Sequence, residues 1–175
     1  MGDEPQKAIH ALFEQYGDDI YRYVRYTLGN SADAHDIVQD VFFKAFRSWA
    51  SFRHDTSEKN WLMHIARNCI VDLWRKRKKE KLTGENYEPP CQEDEYTTIE
   101  TMVFLEGALS NLKDSYRQVF VLRYINNLSV RDTATVLGWT EGKVRMTYHR
   151  AVAQLQKELQ EVKTDEFRER GSSSF

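Results

Sequence analysis

The chain has 175 residues, 41% of them hydrophobic and 30% charged, with a formal net charge of −2. A core is within reach, but bulk charge will not drive the protein onto nucleic acid. Three prolines and eight glycines argue against a turn-rich all-β chain; no apolar run approaches a membrane span and no signal-peptide pattern opens the chain, so a cytoplasmic protein without membrane insertion is expected.

The first helical pattern runs from about Ala8 to Leu28, with Ile9, Leu12, Phe13, Tyr16, Ile20, Tyr23 and Val24 as its apolar stripe and Gly29-Asn30 as its stop. Ser31 is the expected cap of a second helix reaching Trp49. Ala34, Ile37, Val38, Val41, Phe42, Ala45 and Phe46 recur there at spacings of three and four. Its opposite face carries Asp33, Asp36, Gln39, Asp40 and Phe43. Such an acidic strip with an aromatic beside it suits a basic protein partner. On pattern alone, a solvated face with a partly covered Phe43 is the slightly better account.

Ser48 to Asn60 reads as a loop, and a third helix is expected from about Trp61 to Lys79. Leu62, Ile65, Ala66, Cys69, Ile70 and Leu73 form its core face; Lys59, His64, Arg67, Asn68 and the run Arg75 to Lys79 form a basic outer face. Cations complement a helix C-terminus, but this run exceeds what a cap needs, so phosphate contact is expected. Trp49, Phe52, Trp61 and Trp74 bracket the region. Aromatics among cations can stack unpaired bases; most of these rings are expected in the core, with Phe52 the best candidate for exposure. Cys69 reads as a small buried hydrophobe. Cys91 falls in a loop with nothing nearby to activate it, and neither cysteine has the spacing of a zinc site or the setting of a disulfide.

Leu82 to Glu100 contains the Pro-Pro pair and no usable period. Charge sharpens the division. Residues 61–82 carry seven basic and two acidic side chains, residues 83–100 none and six, residues 101–163 nine and six. Two basic segments therefore flank one that repels DNA. The expected organisation is all-α: two small helical domains, 1–82 and 102–163, joined by an acidic flexible linker at 83–101, with a disordered tail at 164–175.

Within the second domain, Leu128 to Gln154 reads as two short helices and a tight turn. Ser129 and Asp132 form a capping-box pattern, Val130, Ala134 and Leu137 one apolar stripe, and Gly138 the left-handed exit. Thr140 caps the next helix, whose buried face is Val144, Tyr148, Ala151, Val152 and Leu155. Glu141, Lys143, Arg145, Met146, His149 and Arg150 point outward, as the second helix of a helix-turn-helix requires to enter a major groove. An ordinary helical hairpin with a charged face is the alternative.

Asp36–Trp49 (DIVQDVFFKAFRSW), Asn60–Lys79 (NWLMHIARNCIVDLWRKRKK) and the helix-turn-helix, in that order, resemble an extracytoplasmic-function sigma factor, the smallest class (group IV) of the sigma-70 family. The resemblance covers about residues 8–160. It implies an alternative sigma factor that binds core RNA polymerase, directs promoter-specific initiation in response to envelope or extracellular stress, and is restrained by a membrane-bound anti-sigma factor. It places Asp36, Gln39, Asp40 and Phe43 on the polymerase clamp. Phe52, His54, Lys59, Trp61, Arg67 and Asn68, with Arg75 and Lys76, fall on the melted −10 element. Lys143, Arg145, Met146, His149 and Arg150 fall on the duplex −35 element. The linker corresponds to a segment threading toward the RNA exit path.

Two departures from the family pattern stand out. Leu112-Lys113 replaces a common Leu-Pro, losing a helix-start signal, while Tyr116-Arg117 is kept. The turn reads Trp139, Thr140, Glu141, Gly142, Lys143, with Lys143 replacing a neutral residue and Met146 a frequent Ser, so an unusual −35 preference is expected. No nucleophile–base constellation, phosphate-binding loop or metal spacing is visible; neither an enzyme nor a cofactor is expected. A stand-alone helix-turn-helix regulator would explain residues 102–160 but not 34–81, and a helical adaptor would treat every charge as a solvated face.

Overall fold

The computed structural model describes residues 4–84 and 100–171. Among these residues all regular structure is helical, with no strand. Helix α1 spans Pro5–Leu28, α2 Ser31–Ser48 and α3 Glu58–Thr83, with a 3-10 turn at Trp49–Ser51 between the last two. Pro5 at the first turn starts α1 earlier than the apolar stripe suggests, because its fixed φ suits a helix start and its missing N–H is no loss there. Gly29, at φ 73°, ends α1 by donating its N–H to the Arg25 carbonyl.

The cap of α2 is Asn30, not Ser31. With Gly29 left-handed, Asn30 is the residue left extended, and its Oδ1 accepts the Asp33 N–H at 3.0 Å. Ser57 caps α3 in the same way, accepting from the Asn60 N–H at 3.1 Å. The helix therefore begins at Glu58 rather than Trp61, and it runs past Lys79 to a left-handed Gly84.

Leu12, Ile20, Tyr23 and Val24 of α1 close on Ala34, Ile37, Val38, Val41, Phe42 and Ala45 of α2 and on Leu62, Met63, Ala66, Cys69 and Ile70 of α3. Cys69 is thus a core residue, with its thiol pKa raised by burial while Lys44, donating to it at 3.4 Å, pulls the other way. Each large side chain in such a core contributes roughly 1.5–3 kcal/mol. Phe13 and Phe46 belong to the apolar stripes but are 50% and 42% exposed rather than inside. Phe13 sits at the rim of the core, edge-on to Phe42 at 5.0 Å.

The second half comprises α4 (Glu100–Ser110), α5 (Asp114–Phe120), a π-helical turn at Val121–Ile125, α6 (Val130–Leu137) and α7 (Glu141–Gly171). Helix α7 continues through Thr164, where the sequence suggests a frayed tail, because neither Gly nor Pro interrupts it between Gly142 and Gly171. Lys113 offers α5 no side-chain cap, consistent with the lost helix-start signal. Arg117 takes over the local hydrogen bonding. Its guanidinium donates to the carbonyls of Leu109 at 2.8 Å, Ser110 at 3.0 Å and Leu112 at 3.0 Å, around the C-terminal end of α4 where helix carbonyls run out of intrahelical donors; the Leu109 carbonyl also accepts the Leu112 N–H at 3.1 Å. A fourth bond, to the Thr27 carbonyl at 3.0 Å, ties this corner to the end of α1. Burial lowers the Arg117 pKa, with Asp114 opposing.

The two halves pack directly on one another, α6 against α3 and the α5–π segment against α1. Their boundary is polar as well as apolar. The buried Tyr23 hydroxyl donates to Gln118 Oε1 at 3.2 Å, and Asn126 Nδ2 donates to the Asp19 carbonyl at 2.8 Å. Arg25 pairs with Glu106 at 3.3 Å. Asn60 Nδ2 donates to Asp132 Oδ1 at 2.7 Å, and His64 Nδ1 lies 3.0 Å from the Val136 carbonyl. The expected linker lies, with Cys91, largely outside the described residues, between Gly84 and Glu100.

Candidate nucleic-acid and partner interfaces

The α2 face opposite the core presents Asp36, Gln39, Asp40 and Phe43 to solvent. Phe43 is 58% exposed, so it is not the partly covered ring that pattern alone favours. Arg47 leans over it, 5.8 Å from the ring centroid. Asp40 makes only a solvent-exposed contact with Lys44 at 3.6 Å, a geometry worth little energy and readily exchanged for another partner. Asp33 leaves the strip: it is paired with Arg77 of α3, which also removes Arg77 from the basic run.

At the turn between α2 and α3, four rings collect. Phe52 stacks on Trp61 with centroids 4.4 Å apart and planes at 24°. Trp49 lies 5.8 Å from Phe52 and 6.0 Å from Trp61. His54 adopts φ 55°, a left-handed conformation unusual outside glycine, and this folds the loop back so that its imidazole reaches 4.4 Å from Phe52. Phe52 is therefore half-buried within a stack rather than a lone exposed ring. A planar base could be received here only on the outer face or by parting the stack.

The other −10 candidates are distributed. Lys59 is drawn inward to Asp19 at 2.9 Å, so it does not point to solvent in this arrangement. Arg67 is half-buried and donates to Asn68 at 3.2 Å, with its Nε buried and unpartnered among the described residues. Arg75 and Lys76 are exposed in loose pairs with Asp72 at 3.8 Å and Glu80 at 4.0 Å. Fourteen residues of helix put Arg75 about 21 Å from Trp61 along α3. The helix thus carries aromatic character at one end and cationic character at the other.

The helix-turn-helix forms as its sequence dictates. Ser129 Oγ accepts the Asp132 N–H at 3.0 Å and donates to Asp132 Oδ2 at 2.8 Å. Gly138 sits at φ 67°, and Thr140 Oγ1 accepts the Lys143 N–H at 3.2 Å. Val144, Ala151 and Leu155 are buried, while Tyr148 and Val152 are half-buried. Phe120 stacks on Tyr148 at 6.2 Å and Arg123 covers the same ring at 5.4 Å, which braces α7 from behind. Lys143, Arg145, Met146, His149 and Arg150 are all exposed on one helix. Arg145 pairs with Glu141 at 2.8 Å, and the Lys143 ammonium rests 3.9 Å from the centroid of the Trp139 ring.

Sequence reasoning missed Asn60, Asp132, Gln118 and Arg117 as bridges between the halves. Asn60 is only 8% exposed, yet no periodicity marks it. Asp132 was legible as a capping residue, and its second oxygen does the bridging. Among the described residues no helix is long and apolar enough to cross a membrane, and no group of three or more metal-ligating side chains gathers.

Comparison with known proteins matches residues 12–80 to the Sigma-70 region 2 model and residues 105–155 to the Sigma-70, region 4 model. The chain is 32% identical to the RNA polymerase sigma factor YlaC of Bacillus subtilis over 91% of this chain and 96% of that one. It is 32% identical to the ECF RNA polymerase sigma factor SigM of Mycobacterium tuberculosis over 85% of this chain and 75% of that one. The structure is similar to that of the sigma factor RpoE in complex with the anti-sigma factor NepR from Bartonella quintana, with a TM-score of 0.75, 25% identity, and coverage of 88% of this chain and 98% of that one.

Proposed function

The chain belongs to the extracytoplasmic-function sigma factors of the sigma-70 family, and on that premise we propose how its surfaces divide the work of promoter-specific initiation. Asp36, Gln39, Asp40 and Phe43 dock on core RNA polymerase: three polar groups and one large exposed ring give a charged rim around an aromatic anchor. The Trp49, Phe52, His54 and Trp61 cluster receives unpaired −10 bases, with Arg67 and Asn68 beside it and Arg75 and Lys76 on the phosphates. Lys59 joins this set once Asp19 releases it. Helix α7 reads the duplex −35 element through Arg145, Met146, His149 and Arg150, with Lys143 at its leading edge. Residues 1–82 act as the polymerase and −10 module, 83–101 as the linker and 102–163 as the −35 module, in the cytoplasm and with no cofactor.

The observation that carries this reading is the separation of exposed surfaces. An acidic-aromatic face and a base-stacking cluster lie on one half, and an exposed cationic recognition helix lies on the other. An anti-sigma factor restrains the protein, and its anchoring in the membrane would connect the chain to extracellular signals. Support for restraint comes from the similarity to RpoE, a sigma factor solved in complex with the anti-sigma factor NepR. The test is run-off transcription with core RNA polymerase and a pool of promoter fragments. Transcripts that require the chain and disappear with D36K/D40K uphold the assignment. If the chain alone shifts specific duplex DNA but supports no transcription, a stand-alone regulator replaces it.

A further inference from the structure

Trp139 stands at the turn between α6 and α7, half-buried. Its backbone is fixed on both sides. The Trp139 N–H donates to the Ala134 carbonyl at 2.9 Å behind the left-handed Gly138, and Thr140 anchors the Lys143 N–H ahead. From Lys143 the side chain tilts toward the helix N-terminus, as helical side chains do, and lays its ammonium 3.9 Å from the Trp139 ring centroid. We propose that Trp139 is a positioning residue that commits Lys143 to the DNA backbone flanking the −35 element, leaving base reading to Arg145, Met146, His149 and Arg150. This rests on the assignment of α7 as the −35 reader.

Three physical points support the division. An ammonium lying over a ring uses that side for the quadrupole and keeps N–H donors on its outer side, so a phosphate oxygen can be added without breaking the contact. Reaching outward to a base edge would require the chain to extend and leave the ring. A lysine is also a point charge without the planar fork that reads guanine bidentately, so phosphate suits its chemistry. Arg145 is held differently, by the Glu141 carboxylate at 2.8 Å. That guanidinium is the group with the planar fork that can read a base bidentately.

The test uses holoenzyme assembled from core RNA polymerase and the full-length chain. It measures binding to promoter fragments in which each −35 base pair is varied in turn, over a range of salt. K143M, at an exposed position that leaves the core untouched, is expected to weaken binding by a similar factor on every fragment. It should also reduce the slope of log affinity against log salt by about one. W139L is expected to weaken binding about 2- to 5-fold, again uniformly, with W139F retaining most of the affinity and W139L adding nothing in the K143M background. If K143M instead erases discrimination at one base pair, Lys143 reads a base and the proposal is overturned. A full W139L effect in the K143M background would make Trp139 a packing residue, which also overturns it. A wild-type holoenzyme indifferent to every −35 change would remove the reader assignment itself, and the proposal with it.

Discussion

The bond from Asn60 to Asp132 offers a quantitative handle on how firmly the two halves hold together. It is short, 2.7 Å, it joins a buried amide to a carboxylate, and it links α3 directly to the first helix of the helix-turn-helix. A hydrogen bond to a charged group contributes about 1.5–3 kcal/mol, so N60A should weaken closure at least tenfold, at about 1.4 kcal/mol per factor of ten. N60D sets a second carboxylate against the first. At about 4 Å and an effective dielectric between that of water and a protein surface, the repulsion adds about 1–4 kcal/mol. The loss should then reach about a hundredfold or more. Hydrogen exchange of the backbone amides facing the boundary, those of α6 and the first turns of α3, reads this opening directly. Protection should fall in the order wild type, N60A, N60D. The N60D/D132N pair, which restores an amide opposite a carboxylate with the roles reversed, should recover it. The amide oxygen that D132N introduces can still accept from the Ser129 hydroxyl, and Ser129 Oγ still accepts the backbone N–H, so the cap survives the swap. Equal protection in wild type and N60D would refute the claim that this bond helps hold the halves together.

Other consequences are equally direct. R117M strips its donors from four carbonyls, of which the Ser110 group is exposed and can turn to water and the Leu109 group keeps the Leu112 N–H, so a loss of about 2 kcal/mol is expected. At about 2–4 °C per kcal/mol for a chain of this size, thermal unfolding should show a fall of about 4–8 °C, with R117K recovering only part. G138A forces a Cβ into φ 67° and should cost about 1–2 kcal/mol in urea unfolding without changing the slope of the transition. Tyr23 is held neutral by burial, with its pKa raised well above the ordinary value near 10 while Arg67 opposes. The folded state therefore keeps a proton that the unfolded chain releases. Stability is untouched below about pH 9 and falls by about 1.4 kcal/mol per pH unit above about 10, and Y23F should flatten that part of the alkaline unfolding profile.

What could be read from the chain was what short-range physics decides. Ser129, Gly138 and Thr140 cap the helices as written because each needs only neighbours three or four residues away. The exposed set on α7 follows from period alone. Asn30 displaces Ser31 as the cap because the choice between adjacent cap formers depends on which residue the preceding glycine leaves extended. Phe13 and Phe46 escape the pattern because periodicity names a face but not its width. Lys59 and Asp33 read as solvent charges because their partners, Asp19 and Arg77, lie on other helices. The bonds from Tyr23 to Gln118 and from Asn60 to Asp132 span 95 and 72 residues, and no local pattern encodes such pairings.

Helix α7 is, in mechanical terms, a cantilever. Its root is clamped by Val144, Ala151 and Leu155, while residues 160–165 stand in solvent. Lys143, Arg145, Met146, His149 and Arg150 occupy the clamped end. At about 1.5 Å per residue, the stretch from Gln156 to Gly171 extends about 24 Å beyond the clamp, and a tilt of about 5° there sweeps the tip through about 2 Å. Torque applied at the free end is therefore delivered, with leverage, to the turns that carry the proposed −35 contacts. The register of the proposed reading head is hostage to whatever grips a handle several turns away.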